Sequence, residues 1–133
     1  MIKYIDKINI KHIFILINIM PGDTLCMKTR QELGNYVKLN DFVIVKIGAS
    51  WCGPCKRVQP IVDNLFKQMP NNVHLVMVDA DEGDIAAALR VKTLPTFLNY
   101  IRGELQDIYS SSDEVSVQQF FQSTLNRVKA KHP

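Results

Sequence analysis

The chain of 133 residues reads as one α/β domain whose central mixed β-sheet is flanked by helices. Three observations lead to that class. Phe42–Ile47 is, apart from Lys46, a run of aromatic and β-branched residues, the pattern of a strand buried on both faces. Strand-like and helix-like segments alternate on either side of it, which implies parallel βαβ units. Two apolar runs flanking Arg102-Gly103-Glu104 then read as an antiparallel hairpin ahead of a last helix.

In chain order, residues 1–20 stand apart as an extension to a domain spanning 21–133. Ile2 to Ile19 consists almost wholly of Ile, Lys, Asn, Tyr, Phe and Leu, the residues that codons built from A and T alone encode. A signal peptide would need a small-residue cleavage site, but Met20-Pro21-Gly22-Asp23 follows instead. A membrane-spanning helix needs about 20 apolar residues, and Lys3, Asp6, Lys7, Lys11 and His12 interrupt the run too early. The favoured reading is an AT-rich leader, with Met20 as the start or the segment loosely attached.

Past Met20, Thr24 to Lys28 is expected as a short edge strand. Thr29-Arg30-Gln31-Glu32 matches a capping box for a helix with Leu33 and Val37 inside. After the Phe42–Ile47 strand, Val58, Ile61, Val62, Leu65, Phe66 and Met69 recur at helical spacing, and Pro60 should kink that helix. Val73 to Val78 is a second buried strand and Asp84 to Leu89 a short helix. Pro95–Ile101 and Leu105–Tyr109 form the hairpin. Ser112 or Asp113 can cap a last helix that buries Val117, Phe120, Phe121, Leu125 and Val128. The expected order is β-α-β-α-β-α-β-β-α.

The net charge of +3 is small, with no basic block, so nucleic acid is not an expected partner. Three cysteines are too few for a secreted disulfide scaffold. Two of them form Cys52-Gly53-Pro54-Cys55 where a buried strand gives way to a helix. Cys52 would sit at the helix N-terminus, where free N–H groups and the dipole favour a thiolate, the nucleophilic form of sulfur. Cys55, one turn on, can attack a mixed disulfide and release the reduced substrate. Gly53 allows a tight turn, and Pro54 wastes no N–H in the first helical turn. Trp51 is either an apolar wall beside the nucleophile or a partly buried core aromatic. The competing chemistry is a zinc half-site, but Cys26, His12, His74 and His132 are scattered, so no metal is expected.

Trp51-Cys52-Gly53-Pro54-Cys55-Lys56 resembles the active-site hexapeptide of the thioredoxin family, and Thr93-Leu94-Pro95-Thr96 resembles that family's cis-proline loop. The resemblance runs from about Thr24 to Lys129, with Pro60 and Gly103 matching a helix-kinking proline and a hairpin glycine. It implies a thioredoxin fold and a thiol–disulfide oxidoreductase, in which Pro95 packs beside the sulfurs and Leu94 pairs with substrate. The substrate-binding set would be Trp51, Gly53, Pro54, Leu94 and Pro95. No cofactor is expected beyond the Cys52–Cys55 disulfide itself. Expected partners are protein disulfides and an electron donor, either a thioredoxin-reductase-like protein or glutathione. A cytoplasmic monomer without a membrane span, serving electron transport and cell redox homeostasis, completes the expectation.

The chain departs from the family in three places. The family's buried acid, six positions before the nucleophile, is Lys46 here, and the lysine that accompanies the acid is Met77. Lys46 can lie neutral in the core, snorkel to the edge, or stay charged beneath the sulfurs, the first two being less costly. Lys46 and the neighbouring Lys56 are the residues expected to tune the cysteine pKa values. A charged Lys46 should make the pair more oxidising, or its second step slower. Ser111 stands where the family has a groove glycine, and it reads equally well as a surface-loop serine. Cys26 is expected as a buried, inert thiol, with regulatory oxidation as its alternative. Net reduction is the favoured direction, with an oxidase or isomerase role, or a redox-inert binding module, as alternatives.

Overall fold

The computed structural model describes residues 22–131, so the expected extension at 1–20 lies outside the described residues. The elements are β1 (Thr24–Cys26), α1 (Arg30–Leu39), β2 (Phe42–Gly48), α2 (Gly53–Lys67), β3 (Val73–Asp79), α3 (Ile85–Ala88), β4 (Thr96–Ile101), β5 (Glu104–Ser110) and α4 (Glu114–Lys131). Their order is the one expected. The five strands line up as β1-β3-β2-β4-β5, with β1, β3 and β2 parallel and β4 and β5 antiparallel to their neighbours.

β2 lies at the centre because nearly every residue in it can be buried; Phe42 to Ile47 are buried without exception. Alternate residues then serve two cores. Phe42 and Ile44 join Leu75 and Phe97 beneath α2 and α4, which contribute Val58, Val62, Phe66, Val117, Phe120 and Phe121. Val43, Val45 and Ile47 join Val76, Val78 and Leu98 beneath α1 and α3, through Leu33, Val37 and Ile85. Each large side chain removed from water in this way stabilises the fold by about 1.5–3 kcal/mol.

Local signals set the ends of the elements. The Thr29 side chain accepts from the Glu32 N–H, and the Glu32 carboxylate accepts from the Thr29 N–H, the capping box read from sequence. The last helix is capped by Asp113, whose carboxylate accepts from the Ser116 N–H at 3.0 Å. Arg102 and Gly103 both have positive φ, at 52° and 83°, as a two-residue hairpin turn requires. Pro60 lies inside α2, where it can offer no N–H to the Lys56 carbonyl.

Two expectations are corrected here. β1 ends at Cys26 rather than Lys28, because the chain bends away to let the Lys28 carbonyl accept from Asp84 N at 3.0 Å. Cys26 is exposed, not buried. It pairs in register with Met77 at the sheet edge, and an open cleft rather than a helix lies over it.

Candidate active site

The site grows from the end of β2. Gly48 closes the strand, and Ala49–Trp51 carry the chain to Cys52, the N-cap of α2. The Cys52 sulfur accepts from the Cys55 N–H at 3.2 Å, so it occupies the position where a helix offers its unpaired donors. Cys52 and Cys55 are joined as a disulfide, with a Cα–Cα distance of 5.3 Å, and both are only 4 % exposed. A Cβ on Gly48 would come within 3.3 Å of the Cys55 sulfur, so a glycine there lets the second cysteine settle against the strand end.

Pro95 immediately precedes β4, whose Thr96 pairs with Ile47, and this places it level with Gly48 beside the cysteine loop. The Leu94–Pro95 bond is cis. The loop is held by Thr96, whose hydroxyl donates to the Thr93 carbonyl at 2.6 Å and meets the Ser110 hydroxyl at 2.7 Å. Pro95 is buried and Leu94 half-buried. The Ser111 hydroxyl accepts from Asp113 N at 3.0 Å, which makes it part of the turn into α4.

Trp51 is 68 % exposed, which rules out the core-aromatic reading. Its indole N–H donates to the Asp81 carboxylate at 2.6 Å, tying the cysteine loop to the loop after β3. Sequence reasoning missed Asp81, since nothing in the chain marks a contact thirty residues away.

Lys46 does not snorkel. Only 3 % of it is exposed, and its Nζ donates to the Cys55 carbonyl at 3.1 Å and to Gln59 Oε1. Gln59 Nε2 donates in turn to Asp63 at 2.7 Å. Burial holds the Lys46 amine below its ordinary pKa, and the Asp63 charge partly offsets that shift. Gln59 and Asp63 were also missed, although the i, i+4, i+8 series Cys55, Gln59, Asp63 marks one face of α2. Lys56 is exposed and lines the same cleft as Lys46. This cleft of about 470 Å³ runs behind Cys55, with Cys26, Met77, Asp79 and Glu82 on its far side.

Of the residues first weighed as zinc ligands, His74 is engaged with Asp23, while His12 and His132 lie outside the described residues. Among the described residues, no group of three or more His, Cys, Asp or Glu is placed to hold a metal ion. Nor is any helix among them long and apolar enough to cross a membrane.

Residues 24–123 match the family model described as Thioredoxin. Over 78 residues the chain is 38% identical to Thioredoxin-2 of Pyricularia oryzae, covering 58% of this chain and 45% of that protein. Over 75 residues it is 40% identical to the mitochondrial Thioredoxin-3 of Saccharomyces cerevisiae, covering 56% of this chain and 58% of that protein. The matched part thus spans about half the length of these two curated relatives. The crystal structure of the oxidised mitochondrial thioredoxin 3 of Saccharomyces cerevisiae superposes with a TM-score of 0.70 at 30% identity, covering 75% of this chain and 94% of that one. With this strand order, a cysteine pair capping the second helix and a matching family model, the chain belongs to the thioredoxin family.

Proposed function

We propose that the protein is a thiol–disulfide oxidoreductase that reduces disulfides in other proteins through Cys52 and Cys55. The observation that carries this reading is the cysteine pair, closed as a disulfide with Cys52 as the N-cap of a 15-residue helix. Partial positive charge at that helix end stabilises the Cys52 thiolate of the reduced form. The thiolate attacks a substrate disulfide, forming a mixed disulfide and expelling one substrate thiolate. Cys55 then attacks the Cys52 sulfur, closing the ring and releasing the second. Two electrons pass from the cysteine pair to the substrate, and the pair itself is the redox carrier.

Trp51, Gly53, Pro54, Leu94 and Pro95 form the surface on which the substrate docks, with the exposed indole as its apolar wall. A reductase of the thioredoxin-reductase type or glutathione returns the electrons. The protein acts as a monomer in the cytoplasm, in electron transport and redox homeostasis. One observation favours a more oxidising variant of the same chemistry: the amine of Lys46 beneath Cys55, where a positive charge would stabilise thiolates over the disulfide.

Insulin reduction driven by dithiothreitol tests the reading. The wild type should precipitate insulin chains well above the uncatalysed rate, and Cys52→Ser should abolish the acceleration. A wild type no faster than dithiothreitol alone refutes the enzymatic reading and leaves a binding module.

A further inference from the structure

The space behind Cys55 is a cleft in its own right, and the strand lengths and register explain why it stays open. β1 is only three residues long, and no helix lies over Cys26 on this face. Cys26 pairs with Met77 and Met77 with Lys46, so these three side chains form a row across one face of the sheet. Adjacent strands lie about 4.8 Å apart, so the row runs about 10 Å from the edge strand to the central one. α2 forms the opposite wall with Cys55, Lys56 and Gln59. The volume of about 470 Å³ falls within the range of small-molecule sites, about 300–1,000 Å³.

The walls define what fits. Met27, Met77, Ala49 and Val78 make an apolar and adaptable lining, and no aromatic ring among the described residues faces the cleft. A flexible alkyl chain therefore packs there, with no stacking partner to favour a flat ring. Lys46 supplies the polar end, with only 3 % of it exposed. As an ammonium its nitrogen has three N–H bonds, and the described residues supply two acceptors, the Cys55 carbonyl and Gln59 Oε1, both uncharged. Asp63 adds its charge only from beyond Gln59. A buried ammonium with no carboxylate against it is costly, so an anion entering the cleft gains more there than at the open surface. Lys56 beside it is exposed and has no ion-pair partner among the described residues. The far side is acidic: Glu82 is ion-paired with Lys28 at 3.5 Å, and Asp79 accepts from Asp81 N at 2.9 Å. One negative charge suits the lysine end, whereas a second on the far side would meet Asp79.

We propose that this cleft binds an unbranched, medium-chain carboxylic acid, with its carboxylate between Lys46 and Lys56 and its alkyl chain laid along Met77 towards Cys26. Binding is non-covalent and separate from thiol–disulfide exchange, so it is measured with the Cys52–Cys55 ring closed.

Octanoate is the probe, titrated by calorimetry into the oxidised full chain at about pH 7. It should saturate one site. Hexanoate, two methylenes shorter, should bind about tenfold more weakly, and octanol, the dianion octanedioate and the flat acid 2-naphthoate should each bind more weakly than octanoate. Bound octanoate should also slow the labelling of Cys26 by iodoacetamide, since the chain covers that thiol. Lys56→Gln, an exposed change, should weaken octanoate about threefold and leave octanol unchanged; Lys46→Met should weaken octanoate about tenfold or more. No saturable binding to the wild type, or octanol or 2-naphthoate binding as tightly as octanoate, overturns the proposal, and neither result depends on whether Lys46→Met folds. Unchanged octanoate affinity in Lys56→Gln together with unprotected Cys26 in the wild type would place the acid elsewhere and overturn it as well.

Discussion

Replacing Lys46 with Met should make the protein more stable near neutral pH and less stable in strong base. In the unfolded chain the lysine titrates near its ordinary value of 10.5, whereas burial lowers that value in the folded protein. Between the two values the unfolded state binds more protons, so wild-type stability rises with pH through this window. Below it, the folded state bears the full cost of protonating a buried amine. Methionine has nearly the same length and no proton to bind. Its substitution frees Gln59 Oε1, which is half-buried and can be hydrated, while the Cys55 carbonyl keeps the helical donor expected of its place in α2. The gain at pH 7 should therefore be about 1–4 kcal/mol, the range found when buried charged groups give way to apolar side chains of similar size. Above pH 10.5 the wild-type amine is neutral in both states, and the lost hydrogen bond should leave the variant about 1 kcal/mol weaker. Urea unfolding of both oxidised proteins from pH 6 to about pH 11 reads the difference directly. A gap that does not change with pH, or a variant less stable at pH 7, would refute the reasoning.

Two further outcomes follow from the same region. Gly83 has a φ of 65°, and a Cβ there would fall 1.7 Å from the Lys28 carbonyl oxygen, so Gly83→Ala must push the loop off the segment that follows β1 and break the Asp84–Lys28 hydrogen bond; a loss of about 2–4 kcal/mol in urea unfolding is expected, and one below about 1 kcal/mol would count against it. Iodoacetamide should label Cys26 readily in the oxidised protein, since that thiol is free and exposed while the other two are bonded to each other; mass mapping that finds Cys26 unmodified under native conditions contradicts its placement.

Much of the fold could be read because the strongest signals were local. The Thr29–Glu32 pair carries its own geometry, and the Phe42–Ile47 run has too little polarity to lie anywhere but at the sheet centre. The boundary of β1 escaped because a contact with Asp84, far along the chain, decides where that strand stops. Cys26 was misjudged for a related reason: apolar neighbours suggest burial, but coverage depends on how far α2 reaches across the sheet. The cysteine pair was legible from spacing alone, whereas the role of Lys46 depends on partners contributed by α2. The i+4 steps from Cys55 to Gln59 and Asp63 were visible, but nothing in them pointed to an amine on the central strand.

Trp51 is the sole tryptophan of the chain, and it immediately precedes Cys52 of the disulfide while being held by Asp81. A disulfide readily accepts an electron from an excited indole beside it, and a pair of thiols does so less well. The protein therefore carries a built-in optical gauge, whose emission should brighten when the ring opens and dim when it closes. Its oxidation state can be followed in real time without any added dye.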